Sequence, residues 1–147
     1  MSSSAKLTDE NTEIVSINTD GNCLFRSLVT YVSKELYNCR RNRSGVPSNR
    51  SLQSKEINLA NSLRFFVVNY IERNKDKYKD EIAYDSEFYN NIDDRIKNMF
   101  KSGEYGGILE INIASELLKL AINVYVINEE EYNLVYNVGN YDQTCNL

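Results

Sequence analysis

The chain has 147 residues, 41% of them hydrophobic and 11% aromatic, enough for one compact domain with a core and few for two. Seventeen Lys and Arg against twenty-one Asp and Glu give a formal charge of -4, which excludes a uniformly basic nucleic-acid binder. Histidine is absent, so the commonest proton shuttle and the commonest metal ligand are missing from every site these residues could build.

Residues 1–12 are polar and aperiodic and are expected to be a flexible N-terminus, with a single domain over 13–147. They hold no apolar signal-peptide core, and no run approaches the roughly 18 to 20 apolar residues that cross a bilayer, so neither secretion nor a membrane is expected. Ile14-Val15-Ser16-Ile17 suggests a short extended segment. After the turn formers Thr19-Asp20-Gly21-Asn22, Leu24, Leu28, Tyr31 and Val32 recur at helical spacing and predict a buried helix over about residues 23–36. From Asn38 to Ser54 the apolar signal collapses while Gly45, Pro47 and several arginines accumulate, which predicts a long, solvated, mobile loop. Leu59, Leu63, Phe66, Val67, Tyr70 and Ile71 predict a helix over 55–73, and Phe88, Ile92, Ile96 and Met99 a more polar one. Gly103-Glu104-Tyr105-Gly106-Gly107 interrupts, and Leu109, Ile113, Leu117, Leu118 and Leu120 predict a further helix. The β-branched runs 122–127 and 132–138, separated by acidic residues, predict a hairpin or adjacent strands.

Cys23 follows Asp20-Gly21-Asn22 at the first position of the first helix, where unsatisfied N–H groups and the helix dipole favour a thiolate. The same turn could aim backbone N–H groups at a developing oxyanion. A plainer reading is a small buried cysteine after an ordinary turn. Cys23, Cys39 and Cys145 are odd in number and lack C-x-x-C spacing, so no disulfide framework or zinc site is expected and a reducing, cytoplasmic compartment fits. The Asn, Ile, Lys and Tyr bias suits an AT-rich viral, parasite or intracellular bacterial genome, which would place the protein in the host cytosol.

DGNCLFRS at residues 20–27, with YGGILEINIA at residues 105–114, resembles the ovarian-tumour (OTU) cysteine proteases. Leu63-Arg64 matches a Leu-Arg pair in that family's central helix, although this pair alone carries no weight. Tyr105-Gly106-Gly107 with Glu110 matches its Trp-Gly-Gly-x-x-Glu block, and Asn140-Tyr141-Asp142 stands where it ends in His-Tyr-Asp or His-Tyr-Asn. The resemblance covers residues 13 to 145. It implies a mixed α/β, papain-like OTU fold, a small central sheet flanked by helices, and a deubiquitinase working through Cys23 on ubiquitin or ubiquitin-like conjugates. It also implies an oxyanion hole at Asp20, Gly21, Asn22 and Cys23, with the Asp20 side chain bracing the turn. Tyr105, Gly106, Gly107 and Tyr141 would meet the substrate.

Tyr105 in place of Trp keeps an aromatic plate and is expected to keep its packing. Asn140 is the graver departure. A carboxamide neither deprotonates Cys23 nor protonates a leaving amine, and Asp142 is left with no ring to orient. General acid–base help is worth about 10² to 10⁴ in rate, and losing one member of a cooperative triad can cost on the order of 10⁶. Little or no turnover is expected, and the alternative is a non-catalytic ubiquitin-binding pseudoprotease. Gly106 and Gly107 read equally as room for a ubiquitin tail and as a helix-entry turn, and Glu110 reads as a first-turn helix carboxylate rather than a catalytic acid. The basic stretch Lys34 to Lys55 is a weaker nucleic-acid candidate, since no aromatic residues interleave its arginines for base stacking. Neither a metal nor another cofactor is expected, nor is a partner beyond ubiquitin or a ubiquitin-like protein, and the chain is expected to be a monomer.

Overall fold

The computed structural model describes residues 4–6, 15, 17–18, 20–84, 91–129 and 131–147. In chain order these form β1 (Ser4–Lys6), α1 (Cys23–Val32), α2 (Lys34–Asn38), α3 (Arg50–Arg73), α4 (Lys79–Tyr84), α5 (Ile92–Met99), α6 (Ile108–Leu118), β2 (Ala121–Asn128), β3 (Glu131–Val138) and β4 (Thr144–Asn146). The expected loose N-terminus is corrected at residues 4–6, whose backbone pairs antiparallel with β3 in the register Ser4↔Asn133 to Lys6↔Glu131. An unpaired β3 edge supplies backbone partners that composition does not reveal. Of the extended segment expected at 14–17, Val15 and Ile17 lie outside any strand, and Ile14 and Ser16 lie outside the described residues, as does Phe88.

The helix expected over 23–36 is two helices. Ser33 has extended backbone angles, closes α1, and its hydroxyl accepts the Leu36 N–H as the N-cap of α2. Serine is favoured at N-caps because its short side chain replaces a missing helical acceptor. Likewise Asn49 caps α3 by accepting from Ser51 N and Leu52 N, so that helix begins at Arg50, inside the expected loop. The rest of that loop is fastened rather than free. Arg41 bridges to Pro47, Asn42 Oδ1 accepts from Ser44 N and Val46 N, and Gly45 and Pro47 are buried. The apolar signal fails there because a polar network, described below, holds the segment instead.

Helix α3 is the central rod, packed by α1, α5 and α6. Its buried stripe Glu56, Ala60, Leu63, Arg64, Val67 and Ile71 keeps the three- and four-residue spacing of one helical face. Helix α6 lies against the sheet, whose order is β1-β3-β2-β4, and Ile122 and Cys145 on adjacent strands are fully buried in the same core as Phe25 and Leu28. The hairpin β2–β3 is antiparallel, with a bulge between Val124 and Tyr125, whereas β4 is parallel to β2. That return carries residues 139–143 past the start of β2, where Ala121 N donates to Gln143 O. No helix among the described residues is long and apolar enough to cross a membrane.

Candidate active site

Cys23 is half-buried at the first position of α1 and is a free thiol. No side chain caps this helix and no acidic residue lies in its first turn, so its N-terminal N–H groups keep their preference for negative charge. Asn22 occupies the N-cap position, yet its carboxamide is turned away from the helix and reaches across to the 102–103 turn. Its Oδ1 accepts from Gly103 N (2.9 Å) and Arg64 Nη2 (3.0 Å), and its Nδ2 donates to Ser102 Oγ (3.1 Å).

Asp20 closes the turn from the other side. Its Oδ1 accepts from Asn22 N at 3.1 Å, and Arg26, one turn into α1, grips the carboxylate through Nε and through Nη2 at 2.9 Å. Burial by itself would raise the Asp20 pKa, but the hydrogen bonds from Arg26 and from the Asn22 backbone outweigh it and hold the carboxyl below its ordinary value. Two of the N–H groups expected to face an oxyanion are engaged inside the turn: Asn22 N on Asp20 Oδ1, and Cys23 N on Asp20 O at 3.1 Å. Gly21 is required for close approach, since a Cβ there would stand 1.4 Å from Gly103 O.

Arg64 is 1% exposed and sits between the two loops. Nη2 donates to Gly21 O (3.1 Å), Asn22 Oδ1 (3.0 Å) and Glu104 O (2.5 Å), Nη1 donates to Met99 O (2.9 Å), and the guanidinium lies 4.5 Å from the centre of the Phe25 ring. Burial lowers its pKa, against the opposing pull of Glu104, Glu110 and Asp20. Three further buried ion pairs complete the frame. Arg95 Nη1 lies 2.7 Å from Glu110 Oε1, while Glu110 Oε2 accepts the Gly107 N–H, so Glu110 serves the start of α6. Glu56, fully buried, lies between Arg41 Nη1 (2.9 Å) and Arg26 Nη1 (3.7 Å), and Arg41 also donates to Thr30 Oγ1 and Gly45 O. The Arg41 side chain is 7% exposed, which corrects the expectation of a solvated arginine at this position; Arg40, Arg43 and Arg50 are exposed.

Gly106 abuts α1, where a Cβ would come within 2.6 Å of Leu24 Cδ2, and Gly107 is the N-cap of α6. Tyr105 is 63% exposed, which corrects the expectation of a packed aromatic plate. Arg64 draws the Glu104 carbonyl inward and Gly106 fits against Leu24, leaving the residue between them turned outward. Asn140, Tyr141 and Asp142 lie in the β3–β4 connection beside the junction of α6 and β2. Asn140 and Asp142 are exposed, and Lys119 Nζ lies 5.8 Å from the centre of the half-buried Tyr141 ring. Gly139 sets this connection with φ +85, its Cα packed where a Cβ would meet Ser115 Oγ at 2.5 Å.

A family profile described as OTU-like cysteine protease matches residues 18–147. The chain belongs to the OTU-like cysteine protease family. It is 28% identical over 127 residues to a candidate ubiquitin thioesterase of Tipula iridescent virus, covering 85% of this chain and 13% of that protein. Over 135 residues it is 24% identical to a second such protein, from Invertebrate iridescent virus 3, covering 89% of this chain and 14% of that one. The chain thus spans a small part of the length of these relatives. The viral OTU domain protease of Dera Ghazi Khan virus superposes with a TM-score of 0.58 at 17% identity, covering 98% of this chain and 78% of that structure, a likeness of fold. The mixed α/β OTU fold is the one expected.

The charged frame within this OTU domain goes unread in the sequence motifs: Arg26, Glu56 and Arg95 take no role from them, Arg41 reads as part of a solvated basic loop with a weak nucleic-acid role, and Asn22 reads as an oxyanion-hole residue with no role for its carboxamide. A signal was present. Glu56 and Arg64 fall on the apolar stripe of α3, and Arg95 is buried beside Ile96 and Met99 on α5. An ionised residue on a core-facing stripe demands a partner.

Proposed function

We propose that this OTU domain engages ubiquitin or a ubiquitin-like protein, with Cys23 in the nucleophile position and the backbone of Asp20 to Cys23 around the developing oxyanion, which the Asn22 and Cys23 N–H groups would serve by leaving their acceptors on Asp20. The observation that carries this reading is the nucleophile turn, locked against the 102–107 loop with a half-buried thiol at an uncapped helix N-terminus. A modifier tail would run along Tyr105, Gly106, Gly107 and Tyr141. Cys23 Sγ would attack its terminal carbonyl to give a thioester, which water would then hydrolyse. Asn140 stands in the position of the base and Asp142 in that of its orienting residue. With no imidazole in these 147 residues, expulsion of a lysine amine lacks its proton donor, and turnover is very weak or absent.

The absence of histidine also favours a second reading, in which the same cleft holds ubiquitin without cleaving it. The test is an Asn140→His variant assayed beside the unaltered chain on fluorogenic ubiquitin. A gain of about 10² or more supports a disabled protease, whereas no gain with retained ubiquitin binding supports the binding module. Loss of both binding and cleavage in the two chains would end the ubiquitin reading. We place a single OTU-like domain over 13–147, with Ser4–Lys6 added to the edge of its sheet by pairing with β3.

A further inference from the structure

We infer that Arg64 is a positioning residue: its guanidinium fixes the gap between the nucleophile turn and the loop leading into Gly106-Gly107, and thereby the reach of Cys23. The inference rests on the reading of Cys23 as the nucleophile of a ubiquitin-directed site. A single atom spans the gap. Nη2 donates to Gly21 O and Asn22 Oδ1 on one wall and to Glu104 O on the other, while Nη1 holds Met99 O at the base of that second wall. Asn22 tightens the same joint by accepting from Gly103 N. Cys23 follows directly on the first wall and Tyr105-Gly106-Gly107 on the second. The offset between sulfur and glycine loop therefore depends on the planar fork of one side chain carried by α3, an element with no residue in the reacting set.

Packing alone accounts poorly for an arginine here. Its neighbours on the stripe are Ala60, Leu63, Val67 and Ile71, and a buried guanidinium is tolerated only where directional acceptors meet it. Lysine carries the same charge but as a point donor on a flexible stem, so its one nitrogen cannot meet Gly21 O, Asn22 Oδ1 and Glu104 O and also hold Met99 O as the guanidinium fork does.

The test compares the unaltered chain with Arg64→Lys and with Asn22→Ala, which weakens the same joint while leaving α3 intact. The probe is ubiquitin bearing a C-terminal vinyl sulfone, and the limiting rate of Cys23 modification is separated from the half-saturating probe concentration. Misplacing reacting atoms by about 1 Å can cost on the order of 10² in rate, so the limiting rate should fall by about that factor with the half-saturating concentration little changed. Backbone hydrogen exchange supplies the readout that needs no ubiquitin: the Gly103 amide should exchange faster while α3 amides stay protected. A folded variant that reacts at the original limiting rate, or faster exchange spread evenly through α3 and the sheet, would overturn the inference. If Arg64→Lys does not fold, Asn22→Ala decides by the same criteria. An unaltered chain that takes up no probe fails the ubiquitin reading, and hydrogen exchange then decides the positioning role on its own.

Discussion

Three thiols with three environments make the residue scale testable. Cys145 is 1% exposed on β4 and burial pushes its pKa up to about 12, so at mildly alkaline pH it stays a shielded thiol. Cys39 is half-buried with its sulfur donating to Leu36 O, and Cys23 is half-buried at the head of α1. Timed iodoacetamide alkylation with peptide mapping should modify Cys23 and Cys39 in the native protein and Cys145 only after denaturant is added; early modification of Cys145 would mean that the β2–β4 core is open. The buried charges give a second residue-scale expectation. Removing Glu56 leaves two guanidiniums facing each other in the core, and breaking such a pair from one side costs about 3–5 kcal/mol. Urea unfolding of Glu56→Ala checks this. Cys23 was legible in the sequence because a rare eight-residue motif surrounds it. Arg64 and Glu56 were not, because a helical stripe reading counts apolar positions and passes over an ion that a partner distant in sequence neutralises.

At the scale of elements, boundaries moved where a single polar side chain intervened, at Ser33 between α1 and α2 and at Asn49 before α3. Strand β4 escaped because three residues show no period, and its parallel pairing with β2 depends on the chain returning past α6. That return turns on Gly139. Alanine there meets an unfavourable positive φ costing about 1–2 kcal/mol in the backbone alone, with a further clash against Ser115. Gly139→Ala should therefore lower the thermal midpoint and disturb the connection holding Asn140; an unchanged midpoint would show that the turn relaxes freely. The nucleophile turn has its own pH signature. Asp20 is held below its ordinary value of 3.8, so its stabilising effect is present above that pH and is lost as pH falls through the depressed value. Thermal melts of Asp20→Asn against the unaltered chain should differ at neutral pH and converge in strong acid. A gap that persisted below the depressed value would assign the stabilisation to something other than the ionised carboxylate.

For the whole molecule, the OTU fold was legible because two motifs far apart in sequence resembled one family, while periodicity supplied the helices and the hairpin. The arrangement that unites them was not legible. Three arginines on three helices, Arg26, Arg64 and Arg95, each tie a site segment to its helix or the core, through Asp20, through the Gly21 and Glu104 carbonyls, and through Glu110. Such a frame holds the nucleophile turn against the 102–107 loop through bonds that do not involve residue 140, so on the proposed reading ubiquitin binding and turnover are separable. The direct test is covalent capture by ubiquitin carrying a C-terminal electrophile, followed by peptide mapping. One ubiquitin attached at Cys23, and none in Cys23→Ala, is the expected result; no adduct, or an adduct that survives Cys23→Ala, would contradict it.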